Sequence, residues 1–435
     1  MEPEALARQV IAKLNGAGHQ AYLVGGCVRD MLLGLRPKDF DVATDARPDR
    51  IMDLFPRSGR VGAHFGVVLV RDVFDQVEVA TFRSDHDYLD GRHPEQVRFE
   101  NDPREDVLRR DFTINGLMME VESGRVLDFV DGSADLRRGL IRAIGDPYAR
   151  FREDHLRLLR GIRFAARFGF AIEPSTMDAI RRDHALILRV SVERVRDELT
   201  RILTEGGARR GFELLDESCM LGDILPEVAA MKGVEQPPEY HPEGDVWTHT
   251  LMLLEQLEHP TITLALGALL HDVGKPPTFR VAERIRFDGH VDEGVRMAEA
   301  ILNRLRYSRA EIDQVVALIA CHMKFKDVQY MKQSTLKRFL RMPEFGEHLE
   351  LHRMDVMASN RRLDNYELAK RKLEEFSEEA LKPEPLITGA DLIAAGYQPG
   401  PEFSRILRAV EDAQLEGRIT TPGEAMGLVR EMFPE

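Results

Sequence analysis

The spacing of apolar residues changes once along this sequence, and that change constrains the fold more than any other feature. Up to about residue 145, short Val-rich runs such as AYLVGG, FGVVLV and VEVATF alternate with helical stretches. Beyond that point the apolar residues follow helical spacing, as in TLALGALLHDVGK. Short strands mixed with helices, followed by helices alone, predict an α+β head and an all-α remainder.

Breaks in the helical part indicate how the chain divides into domains. At roughly 150 residues per domain, 435 residues predict about three domains. The segments GVEQPPEYHPEG and LKPEPLITG interrupt the helical pattern with Pro and Gly, and the first is typical of a linker or long loop. We expect a head at 1–145, a helical neck at 146–235, a third domain at 236–380 and a helical tail at 381–435.

The distribution of charge matters more than its total. A formal charge of −14 argues against a nucleic-acid partner, because such partners usually require a basic surface. Residues 146–215, however, contain 14 Arg and no Lys against 11 acidic residues, a net of +3, while the rest of the chain carries −17. The positive charge is therefore gathered in the predicted neck.

The cysteines and the N-terminal segment bear on the compartment. Cys27, Cys219 and Cys321 are odd in number and far apart, which argues against a disulfide framework and against a Cys-type zinc site. The chain starts with acidic residues where a signal peptide needs positive charge, and its apolar runs stay below the ~18 residues that cross a bilayer. We expect a cytoplasmic protein with no membrane partner.

The segment LVGGCVRDMLLGLRPKDFDVAT combines a glycine turn with two carboxylates. A strand, Ala21 to Val24, is expected to turn at Gly25-Gly26 into a helix beginning near Val28, where backbone N–H groups could contact a triphosphate. A tight turn without a phosphate is the alternative. Asp39 and Asp41, two apart on a β-like run, project from one face, and a divalent cation usually offsets such repulsion. Two solvated acids on an edge strand are the alternative.

Further motifs follow in a fixed order. GG-x-x-R-D and D-x-D are followed by RRDFTIN at 109–115, EDHLR at 153–157 and ERVRDE at 193–198. The series resembles the five motifs of class II tRNA nucleotidyltransferases, over about residues 20–215. This family includes CCA-adding enzymes, their CC-adding and A-adding relatives, and bacterial poly(A) polymerases.

The resemblance implies roles for individual residues. Asp39 and Asp41 would hold catalytic Mg²⁺, with Glu78 as a further acidic residue of the same sheet. Asp154 and Arg157 would read the Watson–Crick edge of the incoming base. The remaining implied nucleotide-binding residues are Gly25, Gly26, Arg29, Asp30, Arg109, Arg110, Asp111, Asn115, Arg160 and Arg163.

The proposed base-reading pair also has a physical rationale. Asp154 and Arg157 are expected at i and i+3 on one helix, where they share a face. A carboxylate accepts from an exocyclic amino group and a guanidinium donates to a ring nitrogen or carbonyl, so the pair could admit C and A. The alternative is a surface salt bridge.

The polar stretch RSDHDYLDGRHPEQVRFENDPRED, residues 83–106, is rich in turn-forming residues and is expected to be a surface loop. In the family, the corresponding loop moves as specificity changes from C to A, and CC-adding enzymes have a shorter one. Its full length here argues against a CC-only enzyme.

The third domain contains a second group of chemically competent residues. His and Asp side chains suit a transition metal that activates water, and the pair in LLHDVGKP ends a buried apolar run. This pattern resembles the HD phosphohydrolase superfamily and implies a divalent ion, Mg, Mn, Ni, Fe, Co or Zn; Lys275 could stabilise a phosphate. His348 and His352 are alternatives for part of the pattern, and a domain retained only as a structural body is the alternative for the whole. The expected ligands are His249, His271, Asp272, His290, His322 and Asp355.

These observations together favour a template-independent enzyme that completes the tRNA 3′ CCA end from CTP and ATP with Mg²⁺, and tRNA as the partner. An A-adding enzyme and a poly(A) polymerase are alternatives within the same class. A metal phosphohydrolase with a nucleotide-binding head is the alternative from another class. The sequence leaves the oligomeric state open.

Overall fold

The computed structural model describes residues 3–60, 66–72, 75–88, 91, 94–239 and 241–433, and the side chains of 60, 85–88 and 94–96 are outside that description. The chain forms two compact units. The first comprises Met1–Ala229 with Leu257–His259, and the second comprises Ala230–Gln256 with Pro260–Glu435.

The first unit contains a mixed sheet surrounded and followed by helices. Its strands are β1 (Ala21–Val24), β2 (Asp41–Thr44), β3 (Ser58–Arg60), β4 (Val67–Arg71), β5 (Gln76–Thr81), β6 (Arg83–Tyr88), β7 (Pro94–Phe99), β8 (Leu117–Met119), β9 (Val126–Asp128), β10 (Leu140–Ile141) and β11 (Ala171–Ile172). Its helices are α1 (Pro3–Gly16), α2 (Gly26–Leu32), α3 (Pro48–Leu54), α4 (Pro103–Leu108), α5 (Gly132–Arg138), α6 (Pro147–Glu153), α7 (Leu156–Phe168), α8 (Pro174–Asp183), α9 (Val192–Thr204), α10 (Ala208–Glu217), α11 (Met220–Ile224) and α12 (Pro226–Ala229), with 3-10 turns at Thr113–Asn115 and His184–Arg189.

The seven-stranded sheet has the order β3-β4-β5-β2-β1-β8-β9, and only its β2–β5 pair is parallel. Strand β5 alternates, burying Val77 and Val79 while exposing Glu78, as the period of a half-buried strand requires. The parallel register places Asp41 opposite Glu78. Topology thus joins two acidic residues that are 37 positions apart in the sequence.

The prediction of a surface loop at 83–106 is wrong. Strands β6 and β7 form an antiparallel hairpin in which Arg83 pairs with Phe99, and α4 follows it. The hydrogen bonds of the ladder satisfy the backbone of a stretch whose side chains are mostly polar, so composition alone concealed the strands. Residues 89, 90, 92 and 93 are outside the described residues.

The helices of the neck pack closely because glycines allow it. Helix α7 buries Leu158, Leu159 and Ile162 and ends at Gly169, which adopts a left-handed conformation with φ of 66°. Helix α10 approaches α7 through Gly207, where a Cβ atom would lie 2.2 Å from the Ala166 carbonyl oxygen. Only glycine fits that contact.

In the described residues of the second unit, the regular structure is helical apart from one hairpin. Its helices are α13 (Val246–Glu255), α14 (Ile262–Leu270), α15 (Lys275–Thr278), α16 (His290–Arg304), α17 (Arg309–Cys321), α18 (Gln333–Leu340), α19 (Phe345–Ala358), α20 (Asp364–Glu375), α21 (Glu378–Leu381), α22 (Gly389–Ala394), α23 (Pro401–Leu415) and α24 (Pro422–Met432), with a 3-10 segment at His322–Tyr330. The hairpin pairs β12 (Phe279–Val281) with β13 (Ile285–Phe287). The tail has a hydrophobic cluster of its own, centred on Leu392, Ile406 and Val410.

The predicted fold class, an α+β head followed by helical parts, is confirmed. The small β12–β13 hairpin is an addition that the helical pattern did not indicate. The division at 145, 235 and 380 stays a prediction. Every helix among the described residues is too short or too polar to span a bilayer.

Candidate functional site

The first site lies at the sheet of the first unit, where three carboxylates meet. Asp41 starts β2 opposite Glu78 of β5, and the exposed Asp39 precedes it by two residues. Burial, the Glu78 carboxylate and, to a smaller extent, Asp39 raise the pKa of Asp41 to about 6, against the opposing effect of Arg110. This cluster carries more negative charge than its surroundings offset, and a divalent cation would relieve it.

The glycine turn is explained by the backbone and by an arginine. Gly25 has a φ of 77°, which side-chain-bearing residues rarely adopt, and it precedes α2, which begins at Gly26 rather than near Val28. A Cβ atom at Gly25 would lie 3.0 Å from Nη1 of Arg110. Gly25 therefore leaves room for the Arg110 guanidinium, whose charge also lowers the pKa of Asp41.

Five of the expected nucleotide-binding residues form one continuous chain of hydrogen bonds. Arg29 donates to Asp30 Oδ1 at 2.6 and 2.8 Å and to Asn115 Oδ1 at 2.5 Å. Asn115 donates to Asp111 Oδ1 at 3.0 Å, and Arg160 donates to Asp111 Oδ2 at 2.5 and 2.8 Å. Burial opposes ionisation of Asp111, but Arg160 and Asn115 outweigh it and hold its pKa well below the usual range.

Arg109 and Arg110 share a carboxylate that sequence reasoning missed. Asp106 of α4 is fully buried and accepts from Arg109 at 2.6 and 3.0 Å and from Arg110 at 2.9 and 3.3 Å. The sequence signal was an acidic residue three and four positions before two arginines on a helical stretch. Asp106 thus fixes the direction of both guanidinium groups.

The expectation that Asp154 and Arg157 share one helix face is wrong. Asp154 has an extended backbone between α6 and α7, and its carboxylate accepts from the Leu156 N–H at 3.1 Å. A short acidic side chain that bonds the local backbone competes with helix continuation, which explains the break. Asp154 pairs instead with Arg194 at 2.9 and 3.2 Å. The base-reading role of the pair stays a prediction.

Arg157 is held separately from Asp154. Its Nη1 donates to Glu153 Oε2 at 2.7 Å and to the Arg150 carbonyl, and its Nη2 donates to the Arg109 carbonyl at 2.9 Å. These bonds tie α7 to the RRDFTIN segment. Arg194, from the ERVRDE segment, is the residue that the structure adds to this part of the site.

Some of the arginines of the neck are directed inward. Arg163 is 4% exposed and donates to the buried Glu198 at 2.6 Å, and Arg167 lies 3.4 Å from Asp30. Arg163 also lies over the Phe164 ring, 4.2 Å from its centre. Arginine count therefore overstated the charge available to a polyanion. The expected nucleotide contact of Arg163 stays a prediction.

The second site lies in the second unit, where four histidines converge. Carbonyl and carboxylate oxygens can only accept, so each imidazole that they hold carries its proton on Nδ1. The opposite Nε2 atoms are buried and make no well-aligned hydrogen bond within the described residues. The bonds run from His249 to Glu243, from His271 to Ala268, from His290 to Phe287 and from His322 to Ile319, at 2.7 to 3.0 Å.

Two carboxylates complete this cluster. Asp272 lies 3.2 Å from His271 Nε2 and 3.9 Å from His322 Nε2, and Asp355 lies 3.1 Å from His249 Nε2. The ligand atoms form two sets of three, each within 4.8 Å. The sets are His249, His271 and Asp355, and Asp272, His290 and His322.

The electrostatics of the cluster suit a metal ion. Burial lowers the pKa of His322 to about 4 and lowers that of His290, so both are neutral ligands at pH 7. Burial also opposes the charged form of His249, but Asp355 and Glu243 outweigh it and raise its pKa to about 9. Neighbouring cations hold the pKa of Asp272 well below its usual range despite burial. His290 and His322 thus present lone pairs beside ionised carboxylates, whereas His249 is cationic in the metal-free protein and must lose its proton to bind a metal.

Sequence reasoning missed the part that the predicted linker plays. Glu243 accepts from His249 Nδ1 at 2.7 Å and from His241 Nδ1 at 2.8 Å. Lys275 Nζ lies 2.6 Å from Asp272 Oδ2 and donates to Gln236 at 2.6 Å. Acidic and polar residues among Pro and Gly gave no periodic signal, so only the fold brought Glu243, His241 and Gln236 to the cluster.

His322, rather than its alternatives, lies with the other ligands. His352 stacks on Phe325 with ring centres 4.3 Å apart, and burial lowers its pKa to about 4. His348 packs against Phe345 at 6.2 Å. These two histidines belong to the hydrophobic packing beside the cluster.

Three family models match successive parts of the chain. They are described as the poly A polymerase head domain at residues 21–142, a probable RNA and SrmB-binding site of polymerase A at 169–232, and the HD domain at 244–380. The head-domain model includes Asp39, Asp41 and Glu78 of the first site, and the HD-domain model includes the four histidines of the second.

Curated relatives are CCA-adding enzymes. That of Bacillus pumilus is 32% identical over 96% of this chain and 95% of its own length. That of Limosilactobacillus fermentum is 43% identical over 206 residues, so the match spans about half, 51%, of that relative's length and 47% of this chain.

Solved structures similar to this chain are also CCA-adding enzymes. The Bacillus stearothermophilus CCA-adding enzyme in complex with CTP superposes with a TM-score of 0.76 at 25% identity, covering 99% of this chain and 98% of that one. The Thermotoga maritima CCA-adding enzyme, complexed with tRNA, shares the fold with a TM-score of 0.61 at 19% identity, over 99% and 96% of the chains. By its nearly full-length similarity at 32% identity, the chain belongs to the family of CCA-adding enzymes.

Proposed function

We propose that this chain is a template-independent tRNA nucleotidyltransferase that completes the tRNA 3′ CCA end from CTP and ATP. The observation that carries the proposal is the acidic cluster at β2 and β5, in which Asp41 has a pKa of about 6. It stands beside the hydrogen-bonded chain from Arg29 to Arg160. The similarity to CCA-adding enzymes, one of them solved with CTP, supports the same reading.

The residues of the cluster fit Mg²⁺, a cation that prefers carboxylate oxygens. Asp39, Asp41 and Glu78 would hold it. When bound, Mg²⁺ lowers the pKa of the attacking 3′-hydroxyl and neutralises charge on the leaving pyrophosphate. The raised pKa of Asp41 in the metal-free protein indicates that the negative charge of the cluster is not fully offset.

The other residues of the first site would bind and orient the nucleotide. Arg110 is positioned next to Asp41 by Asp106 and by the absence of a side chain at Gly25, where it can pair with the triphosphate. Asn115 and Arg29, locked by their mutual hydrogen bond, would contact the sugar and phosphates. Because the guanidinium groups are held in advance, little conformational entropy is lost when the nucleotide binds.

Selection of C and A would rest on Asp154 and Arg157 in the protein rather than on a template. Asp154 is paired with Arg194, and Arg157 with Glu153. Admitting a base would therefore require the Asp154 carboxylate to accept from the exocyclic amino group while Arg194 holds its other oxygen. Uracil and guanine lack that amino group at the corresponding position.

A second activity, hydrolysis of phosphoesters at the HD cluster, is favoured by a separate observation. Four buried histidine Nε2 atoms and two carboxylates lie in two neighbouring sets of three, and once His249 is deprotonated this donor set suits Mg, Mn, Ni, Fe, Co or Zn. Such an ion supplies a bound water of lowered pKa. Lys275, held between Asp272 and Gln236, would contact the phosphate.

Incorporation assays on three tRNA substrates test the first activity. The substrates end before C74, after C74 and after C75, and each receives CTP, ATP or both. Addition of C, C and then A is expected. Incorporation of ATP alone would establish an A-adding enzyme, and long A tails on unrelated RNA would establish a poly(A) polymerase.

Paired variants separate the two sites. Asp39→Ala with Asp41→Ala is expected to abolish incorporation of CTP and ATP and to leave phosphoester hydrolysis intact. His271→Ala with Asp272→Ala is expected to do the reverse. Undiminished incorporation in the first variant, or complete loss in a folded second variant, would contradict the assignment.

A further inference from the structure

The hairpin of β12 and β13 is inserted between two ligands of the HD cluster. It follows Asp272 and Lys275, and its last residue, Phe287, accepts from His290 Nδ1 through its carbonyl at 2.9 Å. Lys275 Nζ lies 5.4 Å from the centre of the Phe287 ring. The hairpin is therefore attached to the cluster at both ends.

One face of the hairpin is apolar and exposed. Phe279 and Phe287 are cross-strand partners with ring centres 5.9 Å apart, and Val281 pairs with Ile285 on the same face. Phe279 is 37% exposed and Val281 is 71% exposed. A two-stranded hairpin is marginally stable alone and normally buries such a face, so this aromatic surface is free to take a ligand.

The other face brings two like charges together. Arg280 and Arg286 are directly opposite each other, an arrangement that destabilises a β-pair unless an anion offsets it. Both side chains are exposed, and among the described residues neither forms an ion pair with a carboxylate. Two guanidinium groups in this position, beside the HD cluster, are suited to bind phosphates.

An aromatic platform with adjacent arginines is the combination that binds single-stranded nucleic acid, because bases stack on the ring and the backbone follows the cations. We propose that the Phe279–Phe287 hairpin binds the end of a single-stranded RNA that crosses the hairpin edge, with a terminal base on Phe279 on one face and the neighbouring phosphates on Arg280 and Arg286 on the other. The inference rests on the proposed phosphoester hydrolysis, for which it names the substrate class. The terminal phosphate then lies towards Lys275 and Asp272.

The test compares two substrates of the full-length, metal-loaded protein. One is a 3′-phosphorylated oligoribonucleotide and the other is p-nitrophenyl phosphate, which is too small to span the hairpin. Phe279→Ala and the double variant Arg280→Ala with Arg286→Ala are expected to raise KM for the oligonucleotide about tenfold. The kcat and KM for p-nitrophenyl phosphate are expected to stay at wild-type values, which also shows that the variants fold and bind metal.

The dependence of KM on salt concentration distinguishes the phosphate contacts of the arginines from base stacking on Phe279. The slope of log KM against log salt for the oligonucleotide is expected to fall by about 1.4 in the double arginine variant, since each phosphate contact on a single strand contributes about 0.7. Phe279→Ala is expected to leave the slope unchanged. Arg309→Ala, an exposed arginine at the start of α17, is the matched control and is expected to change neither substrate.

Three results would overturn the proposal. They are an unchanged KM for the oligonucleotide in the hairpin variants, an equal rise in Arg309→Ala, and displacement of the oligonucleotide by vesicles of anionic lipid, which would assign the face to a membrane. Failure of the wild type to hydrolyse p-nitrophenyl phosphate with any of the named metals is a different result, because it refutes the proposed hydrolysis. In that case a 4-thiouridine end is used, and absence of its photocrosslink to the hairpin would refute RNA binding as well.

Discussion

Asp41, a proposed metal ligand, should destabilise the metal-free protein, and Asp41→Asn tests this. In the folded state its pKa rises from 3.8 to about 6, because burial and the Glu78 and Asp39 carboxylates oppose ionisation. Each unit of pKa is worth about 1.4 kcal/mol, so ionised Asp41 costs the fold up to about 3 kcal/mol. Screening at this partly exposed position reduces the expected cost to about 1–2 kcal/mol.

The sign follows from proton linkage. A carboxyl with a raised folded-state pKa binds protons more tightly when folded, so its cost is absent below pH 3.8 and complete above about pH 6. In EDTA at pH 8, Asp41→Asn is expected to raise the free energy of unfolding by about 1–2 kcal/mol. At pH 4.5 most of that gain is expected to disappear. Added Mg²⁺ is expected to stabilise the wild type and not the variant.

Urea unfolding followed by circular dichroism measures the effect. The single tryptophan, Trp247, lies in the second unit, so its fluorescence identifies transitions of that unit. Asp53→Asn makes the same chemical change at an exposed position of α3 and is expected to change stability at neither pH. A gain that is equal at both pH values, or equal in the control, would refute the electrostatic argument.

Three further predictions concern packing and positioning. Arg163→Met should cost about 3–5 kcal/mol in urea unfolding because it removes the hydrogen-bonded partner of the buried Glu198 and leaves it, among the described residues, only Arg201 at 3.7 Å, and the double variant with Glu198→Leu should recover most of that loss. Gly207→Ala should cost about 1–3 kcal/mol more than Gly169→Ala in the same assay, since φ is 73° and 66° but only Gly207 faces a carbonyl at 2.2 Å. Glu243→Gln should weaken divalent-metal binding about 10- to 100-fold in calorimetry and leave CTP incorporation intact, with Glu239→Gln as the unchanged control. The packing argument is contradicted if Gly169→Ala loses as much stability as Gly207→Ala. The ion-pair argument is contradicted if Arg163→Met is as stable as the wild type. The metal-site argument is contradicted if Glu243→Gln keeps wild-type metal affinity.

The wrong expectations share a cause. Helical spacing was applied to EDHLR because its charges fit i and i+3, yet the Asp154 side chain bonds the Leu156 N–H and ends the helix. The hairpin of β6 and β7 was missed because a strand with few apolar residues carries no alternating signal. A side-chain hydrogen bond sets the backbone conformation at Asp154, and pairing with another strand sets it in β6 and β7. Composition and apolar spacing reveal neither interaction.

The sequence by itself determined the order of the α+β and helical parts and the residue types of the candidate sites. Apolar periodicity separates head from helical body, and short motifs supply Asp41, Asp111 and the His271-Asp272 pair. Such information is local, because secondary structure and motif chemistry depend on neighbours within a few residues.

The tertiary structure alone decided which distant groups act on one another. Parallel pairing of β2 with β5 sets Glu78 beside Asp41, and folding of a Pro- and Gly-rich segment sets Glu243 against His249. It also decided that Arg163 neutralises Glu198, so part of the charge counted in the neck is paired within the protein. The electrostatic energy of a charge falls with distance and rises with burial, and both quantities exist only in the folded chain.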